Sequence, residues 1–313
     1  MPWRDAWHAA LYGPAGFYRS ASAPAAHFRT SVHASPLFAR ALLELIHQAG
    51  IDTVVDVGAG GGELLRDLHG LDPGLRLCGV DLGPRPAELP AAVEWTGTVP
   101  DFAGLLVANE WLDNVACPVV ELTSDGPRLV LVDPATGAES LGPPVGSANA
   151  AWLERWWPLH RPGQRAEIGR PRDEAWQAAV SRIQRGLAIA IDYAHTRGDR
   201  PPSGTLTGFR RGREVTPIPD GTCDITAHVA VDACAAAVPA PAVTLPQRAA
   251  LRSLGIRSGL PDRDLAQADP AGYVRALQAA SEASELLDPD GLGGFAWLVH
   301  SIGLPTPVAF VTG

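Results

Sequence analysis

Not one lysine occurs among the 313 residues, and all 25 basic residues are arginines. Every mechanism that needs an ε-amino group, a Schiff base above all, is excluded with it. The arginines are outnumbered by 34 acidic residues, giving a net charge of −9, so the positive field that non-specific nucleic-acid binding requires is missing. Cysteine is scarce as well. Cys78, Cys117, Cys223 and Cys234 show no CxxC spacing, which argues against a zinc site on paired thiolates, and four are too few to staple so long a chain. A reducing, cytoplasmic setting fits this usage. No apolar run reaches the about 18 residues of a membrane span, and Met1-Pro2-Trp3-Arg4-Asp5 lacks the apolar stretch of a signal peptide. The 33 glycines and 29 prolines follow no fixed period, which excludes a collagen-like repeat. Only 19% of the residues are charged against 46% hydrophobic, the balance of a chain that buries a sizeable core.

Within that core-forming chain, the spacing of Leu37, Phe38, Ala41, Leu42, Leu45 and Ile46 predicts a helix over Ser35 to Gln48, with Ser35 as its cap, Pro36 in its first turn and Gly50 at its end. A β-branched run follows, Thr53-Val54-Val55-Asp56-Val57, then Gly58-Ala59-Gly60-Gly61-Gly62, then Leu64, Leu65 and Leu68 on one helical face. The order is strand, glycine loop, helix. Further apolar runs end at Asp81, at Asn109-Glu110 and at Asp192-Tyr193. Such runs, separated by helix-length connections, favour an α/β fold with a parallel sheet covered on both faces. Polar residues at strand C-termini mark the edge where open α/β sheets bind ligands.

Elsewhere, Val119 to Val132 alternates around Asp125-Gly126 as a hairpin does, and residues 147–185 read as helices carrying Trp152, Trp156, Trp157 and Trp176. These tryptophans are either core packing between an insert and the sheet or an aromatic wall over a substrate cleft. A helix over about 270–287 and a closing strand from Phe295 to Ile302 complete the pattern.

Glycines at the strand-to-helix turn let the backbone pass close to a ligand. A dinucleotide fingerprint wants a small residue at its sixth position, but here that place holds Glu63, an anion where a pyrophosphate would lie. NAD is thereby disfavoured. The pattern suits S-adenosylmethionine (SAM): Gly58, Ala59 and Gly60 form the cradle, Asp56 sits near the ammonium group, and Asp81, with Leu82 beside it, takes the ribose hydroxyls. Asn109 joins this cofactor set and, with Glu110, marks where a methyl acceptor would lie. Glu110 and Asp113, three apart, are expected on one face of a helix start, as a clamp for a guanidinium or ammonium. Tyr193 and His195 are the remaining catalytic candidates, with His195 as a proton acceptor or as a solvated loop residue.

The loop is joined in sequence order by Gly16-Phe17-Tyr18, His27-Phe28-Arg29-Thr30-Ser31 with Ser35-Pro36-Leu37-Phe38, Ala108-Asn109-Glu110-Trp111-Leu112-Asp113, Ile191-Asp192-Tyr193 and Asp224-Ile225-Thr226-Ala227-His228-Val229. This set, spanning roughly residues 12 to 303, resembles the MidA-like class I SAM-dependent methyltransferases, relatives of the mitochondrial arginine methyltransferase that assists complex I assembly. The resemblance implies a Rossmann-like sheet, methyl transfer to a protein arginine or to another amine, amide or hydroxyl of a peptide or small molecule, and an N-terminal lid that would include His27, Arg29 and His33. His27 stands where the family has an acid, and Asp81 where it has Glu. The organisation expected is a lid and helix over 1–50, a cofactor-binding core over 51–135 and 186–313 with a helical excursion near 245–290, and a helical, Trp-rich insert over 136–185 forming a substrate cap. A different class of function, a SAM-fold assembly protein acting by docking on a partner, is the alternative. Thr226 reads as a packing residue, His228 as packing or cleft-facing, and Arg210, Arg211 and Arg213 as a solvated edge or an anion site. No metal, membrane or nucleic-acid partner is expected, and the oligomeric state is open.

Overall fold

The computed structural model describes residues 1–19 and 30–311. The chain divides into two compact units, one of Arg29–Asn109, Ile183–Ile191 and Ala240–Gly313, the other of Met1–Phe28, Glu110–Arg182 and Asp192–Pro239.

The first unit is built on a seven-stranded sheet. Its strands are β1 (Thr53–Val57), β2 (Arg76–Val80), β3 (Glu94–Thr96), β4 (Phe102–Asn109), β5 (Ile183–Asp192), β6 (Ala242–Pro246) and β7 (Ala296–Ile302). They lie in the order β3-β2-β1-β4-β5-β7-β6. The pairs β1–β2, β2–β3, β1–β4 and β4–β5 are parallel, and β6 is antiparallel to β7. Val54, Val55, Leu105, Leu106, Val107 and Ile189 are fully buried, as expected of strands covered on both faces. Strand β3 escapes sequence reading because it is three residues long and carries no apolar run.

One cover is the helix Pro36–Ala49, which buries Phe38, Leu42, Leu45 and Ile46. Its ends follow the predicted chemistry: Leu37 N–H donates to Ser35 Oγ, Pro36 opens it, and Gly50 closes it in the left-handed region. The helix Glu63–Leu71 buries Leu64, Leu65 and Leu68. The excursion after β6 consists of the helices Gln247–Ser253, Arg263–Ala268 and Pro270–Leu287. Because the chain leaves β1 toward β2 on one side while β4 pairs on the other, the strand order reverses at β1, and the C-terminal ends of β1 and β4 form the ligand edge.

The second unit mixes small sheets with helices. A four-stranded antiparallel sheet orders Glu139–Pro144, Gly126–Val132, Val119–Thr123 and Arg165–Glu167, and its hairpin pairs Thr123 with Gly126 as the alternation predicted. The segment expected to be a helical insert therefore contributes two strands, Glu139–Pro144 and Arg165–Glu167, besides the helices Ser147–Trp156 and Arg170–Val180. Trp152 and Trp157 are buried with Val120, Ala166, Ile168 and Ala230. These tryptophans fill the core of their own unit, against a different sheet from the one expected. The first residues form a helix, Trp3–Tyr12, whose Trp3, Trp7 and Leu11 belong to the second core of this unit. Trp7 Nε1–H donates to Ile225 O at 2.7 Å, the polar handle that lets so large a ring be buried. Among the described residues no helix is long and apolar enough to cross a membrane.

Candidate functional site

The glycine loop follows β1 directly. Gly58, Gly60 and Gly62 have φ of 74°, 54° and 73°. A Cβ on Gly60 would meet no atom within 4 Å, so this glycine borders open space and its need is conformational. Gly58 and Ala59 donate backbone hydrogen bonds to Val80 O, which ties the loop to the end of β2. There Asp81 accepts from Gly60 N–H at 3.0 Å and from Gly83 N–H at 2.7 Å, one through each carboxylate oxygen. Leu82, next in the chain, is 67% exposed, an apolar surface beside that carboxylate.

Asp56, at the end of β1, is 5% exposed. Its pKa is raised to about 7, by burial first and then by the charges of Asp81 and Glu63. Glu63 behaves oppositely: burial would raise it, but His33, at 3.5 Å, its own backbone N–H and Arg66 outweigh that and hold it low. His33 lies on the short helix Ser31–Ala34, while His27 and Arg29, the other expected lid residues, lie outside the described residues.

The second unit holds the other candidates. Glu110 has φ of 51°, and no helix begins there, so Glu110 and Asp113 do not share the helical face expected of them. Asp113 is buried instead. Its Oδ2 accepts from Thr226 Oγ1 at 2.7 Å, its Oδ1 from Asn114 Nδ2 at 3.0 Å, and its N–H donates to Asp192 Oδ2 at 3.1 Å. Asp224, in the strand Asp224–Thr226, accepts from Tyr18 OH at 3.1 Å. Asp113, Asp192 and Asp224 all have raised pKa values, with burial as the first cause. Asp113 adds to the shifts of the other two through its charge.

A countercharge comes from Arg172, 1% exposed on the helix Arg170–Val180. Its guanidinium donates to Asp113 O, His228 O and Val115 O at 2.6, 2.7 and 3.1 Å. Sequence reasoning missed it, because an arginine between Pro171 and Asp173 carries no local signal of burial.

Tyr193 stacks on the exposed ring of His228 at 5.7 Å, and its hydroxyl stays protonated, held up by burial and by Glu110, Asp113 and Asp192. His195 is buried edge-on to Trp157 at 4.5 Å between centroids. Burial and the Arg200 charge pull its pKa down to about 3. An imidazole so weakly basic is a poor proton acceptor at neutral pH, against the expectation for this residue. Arg210 and Arg213 are exposed at a hairpin whose turn is Arg211-Gly212.

A sequence profile for a family described as "Putative S-adenosyl-L-methionine-dependent methyltransferase" matches residues 76–244. The chain belongs to this methyltransferase family. Two crystal structures of COG1565 superfamily proteins from Burkholderia thailandensis are similar to it at 26% identity over all of this chain. One, bound to S-adenosyl-homocysteine, has a TM-score of 0.83 with 91% of its chain covered. The other, a native structure, has a TM-score of 0.81 with 90% covered. No curated protein matches the chain in sequence.

The chain is thus a SAM-dependent methyltransferase with a Rossmann-like α/β core. The residues of the loop suit that cofactor: open space over Gly60, a buried carboxylate at Asp56 on which no cation acts among the described residues, and an Asp81 carboxylate with lone pairs left after two backbone bonds.

Proposed function

We propose that this methyltransferase modifies a nitrogen of a cationic acceptor, a protein arginine in the first place. The observation that carries the reading is the concentration of carboxylates in the second unit, where Asp113, Asp192, Asp224 and Glu110 influence one another and Asp113 and Asp192 act on the buried guanidinium of Arg172. A planar cation with several donors gains charge-assisted hydrogen bonds from such surroundings, and a neutral hydroxyl gains much less.

Asp56, Gly58, Ala59, Gly60, Asp81, Leu82 and Asn109 are the residues proposed to hold the cofactor, which supplies an electrophilic methyl group on a sulfonium. Methyl transfer asks the protein mainly for position and field. Glu110, in a strained left-handed backbone conformation at the end of β4, is proposed to orient the acceptor nitrogen, with Tyr193 beside it. Asp113 shapes this neighbourhood from its buried position, through Thr226 and Asp192. His195 is proposed as a neutral wall of the aromatic group.

The test is incubation with SAM labelled in its methyl group and a lysate of the source organism, followed by acid hydrolysis of the labelled protein. Label in methylarginine is the expected result. Label in a small molecule, or in a hydroxyl-bearing residue, would overturn the cationic acceptor.

A further inference from the structure

Three carboxylates from three elements act on one another at the cofactor loop: Asp56 from the end of β1, Asp81 from the end of β2 and Glu63 from the helix that follows the loop. Two of them have hydrogen-bond or charge partners. Asp81 accepts the backbone N–H groups of Gly60 and Gly83. Glu63 faces His33 and Arg66. Asp56 is the exception, since burial and two like charges act on it and, among the described residues, no donor or cation offsets them. Of the three, it is the one whose surroundings favour keeping a proton.

We propose that Asp56 is the proton-exchanging group of the cofactor site: it holds a proton in the free enzyme and releases it to solvent when the ammonium of the cofactor arrives beside it. The inference rests on the proposed placement of the cofactor's amino-acid end at Asp56. The ammonium keeps its own protons, the Asp56 O–H bond breaks, and the ion pair formed replaces a neutral acid. The product S-adenosylhomocysteine carries the same ammonium, so it reports the same exchange without turnover.

The direction follows from the burial of Asp56 among like charges, which raises its pKa to about 7. Below that value the proton must be displaced, and cofactor affinity weakens by roughly tenfold per pH unit; above it Asp56 is already ionised and affinity levels off. The groups that face Asp56 are Asp81 and Glu63, and His33 and Arg66 act on it through Glu63. His33 is the imidazole nearest this cluster, 3.5 Å from Glu63, and so the residue to control for.

The experiment is calorimetric titration of the full chain with S-adenosylhomocysteine between pH 5.5 and 8.5, in two buffers of different ionisation enthalpy. The wild type is expected to bind roughly tenfold more weakly at pH 6 than at pH 8 and to release close to one proton per cofactor at pH 6 and little at pH 8. Asp56→Asn is expected to lose both the slope and the proton release, and His33→Gln to keep them. Thermal melts show whether Asp56→Asn folds, and the wild-type proton release stands without it. Flat wild-type affinity, or a slope that survives in Asp56→Asn, overturns the proposal while leaving the cofactor in place. Absence of S-adenosylhomocysteine binding at every pH overturns the cofactor placement beneath it.

Discussion

The backbone N–H of Gly60 donates to Oδ2 of Asp81, 21 residues further along the chain, and this bond fastens the glycine loop to the end of the next strand. Asp81 therefore serves twice, as the fastener of the loop and as the proposed partner of the ribose hydroxyls. Asp81→Ala is expected to weaken S-adenosylhomocysteine binding by roughly 1.5–3 kcal/mol, the range for hydrogen bonds to a charged group. Calorimetry decides it. Unchanged affinity in a folded variant would take the ribose away from Asp81.

Gly60→Val tests the loop itself. With φ of 54°, a β-branched side chain at this position meets backbone strain of roughly 1–2 kcal/mol and projects into the open space assigned to the cofactor. The variant is expected to fold, since nothing in the protein occupies that space, and to lose cofactor binding. Wild-type affinity in a folded Gly60→Val protein would remove the loop from the site.

Arg172→Met is expected to destabilise the protein by about 3–5 kcal/mol, because it leaves three carbonyls without their donor and buried carboxylates without their countercharge. Lysine should rescue little, having no planar fork to reach Asp113 O, Val115 O and His228 O together. The loss should shrink on acidification. Asp113 and Asp192 have raised pKa values in the folded state, so they take up protons at higher pH than in the unfolded chain, and the uncompensated charge disappears first in the folded state. Urea denaturation at pH 5.5 and pH 8 measures both effects.

Glu110→Gln and Asp113→Asn should separate cleanly. The first is expected to keep S-adenosylhomocysteine affinity and lower transfer of labelled methyl to lysate protein at least tenfold. The second is expected to act through stability, by about 1–3 kcal/mol, since Asp113 Oδ2 is the acceptor for the buried Thr226 hydroxyl. Wild-type labelling by Glu110→Gln would make Glu110 a conformational residue and move the acceptor site toward Tyr193.

His195 should stay neutral across the physiological range. Nitrogen-15 spectra of histidine-labelled protein are expected to show one imidazole that does not titrate between pH 5 and 8, and His195→Phe should remove its signal. A titration of that signal near pH 6 would restore His195 as a proton acceptor.

What the sequence by itself determined is what short-range rules control. Helical spacing from Leu37 to Ile46, the cap at Ser35, the left-handed Gly50, the apolar runs of β1, β2, β4 and β5, and the glycine loop all follow from residues within one or two turns of each other, and each is found where it was read. The cofactor was legible for the same reason, because its proposed cradle is a strand, a loop and the next strand end. The acidic cluster was not. Asp113 meets Thr226 across 113 residues of chain, Tyr18 meets Asp224 across 206, and Arg172 reaches carbonyls 56 to 59 residues away. No local pattern distinguishes Asp113 at a helix start from Asp113 buried on a hydroxyl, nor a basic imidazole from one beside Arg200. Burial and the charge of distant neighbours decide both, and these exist only once the chain has packed.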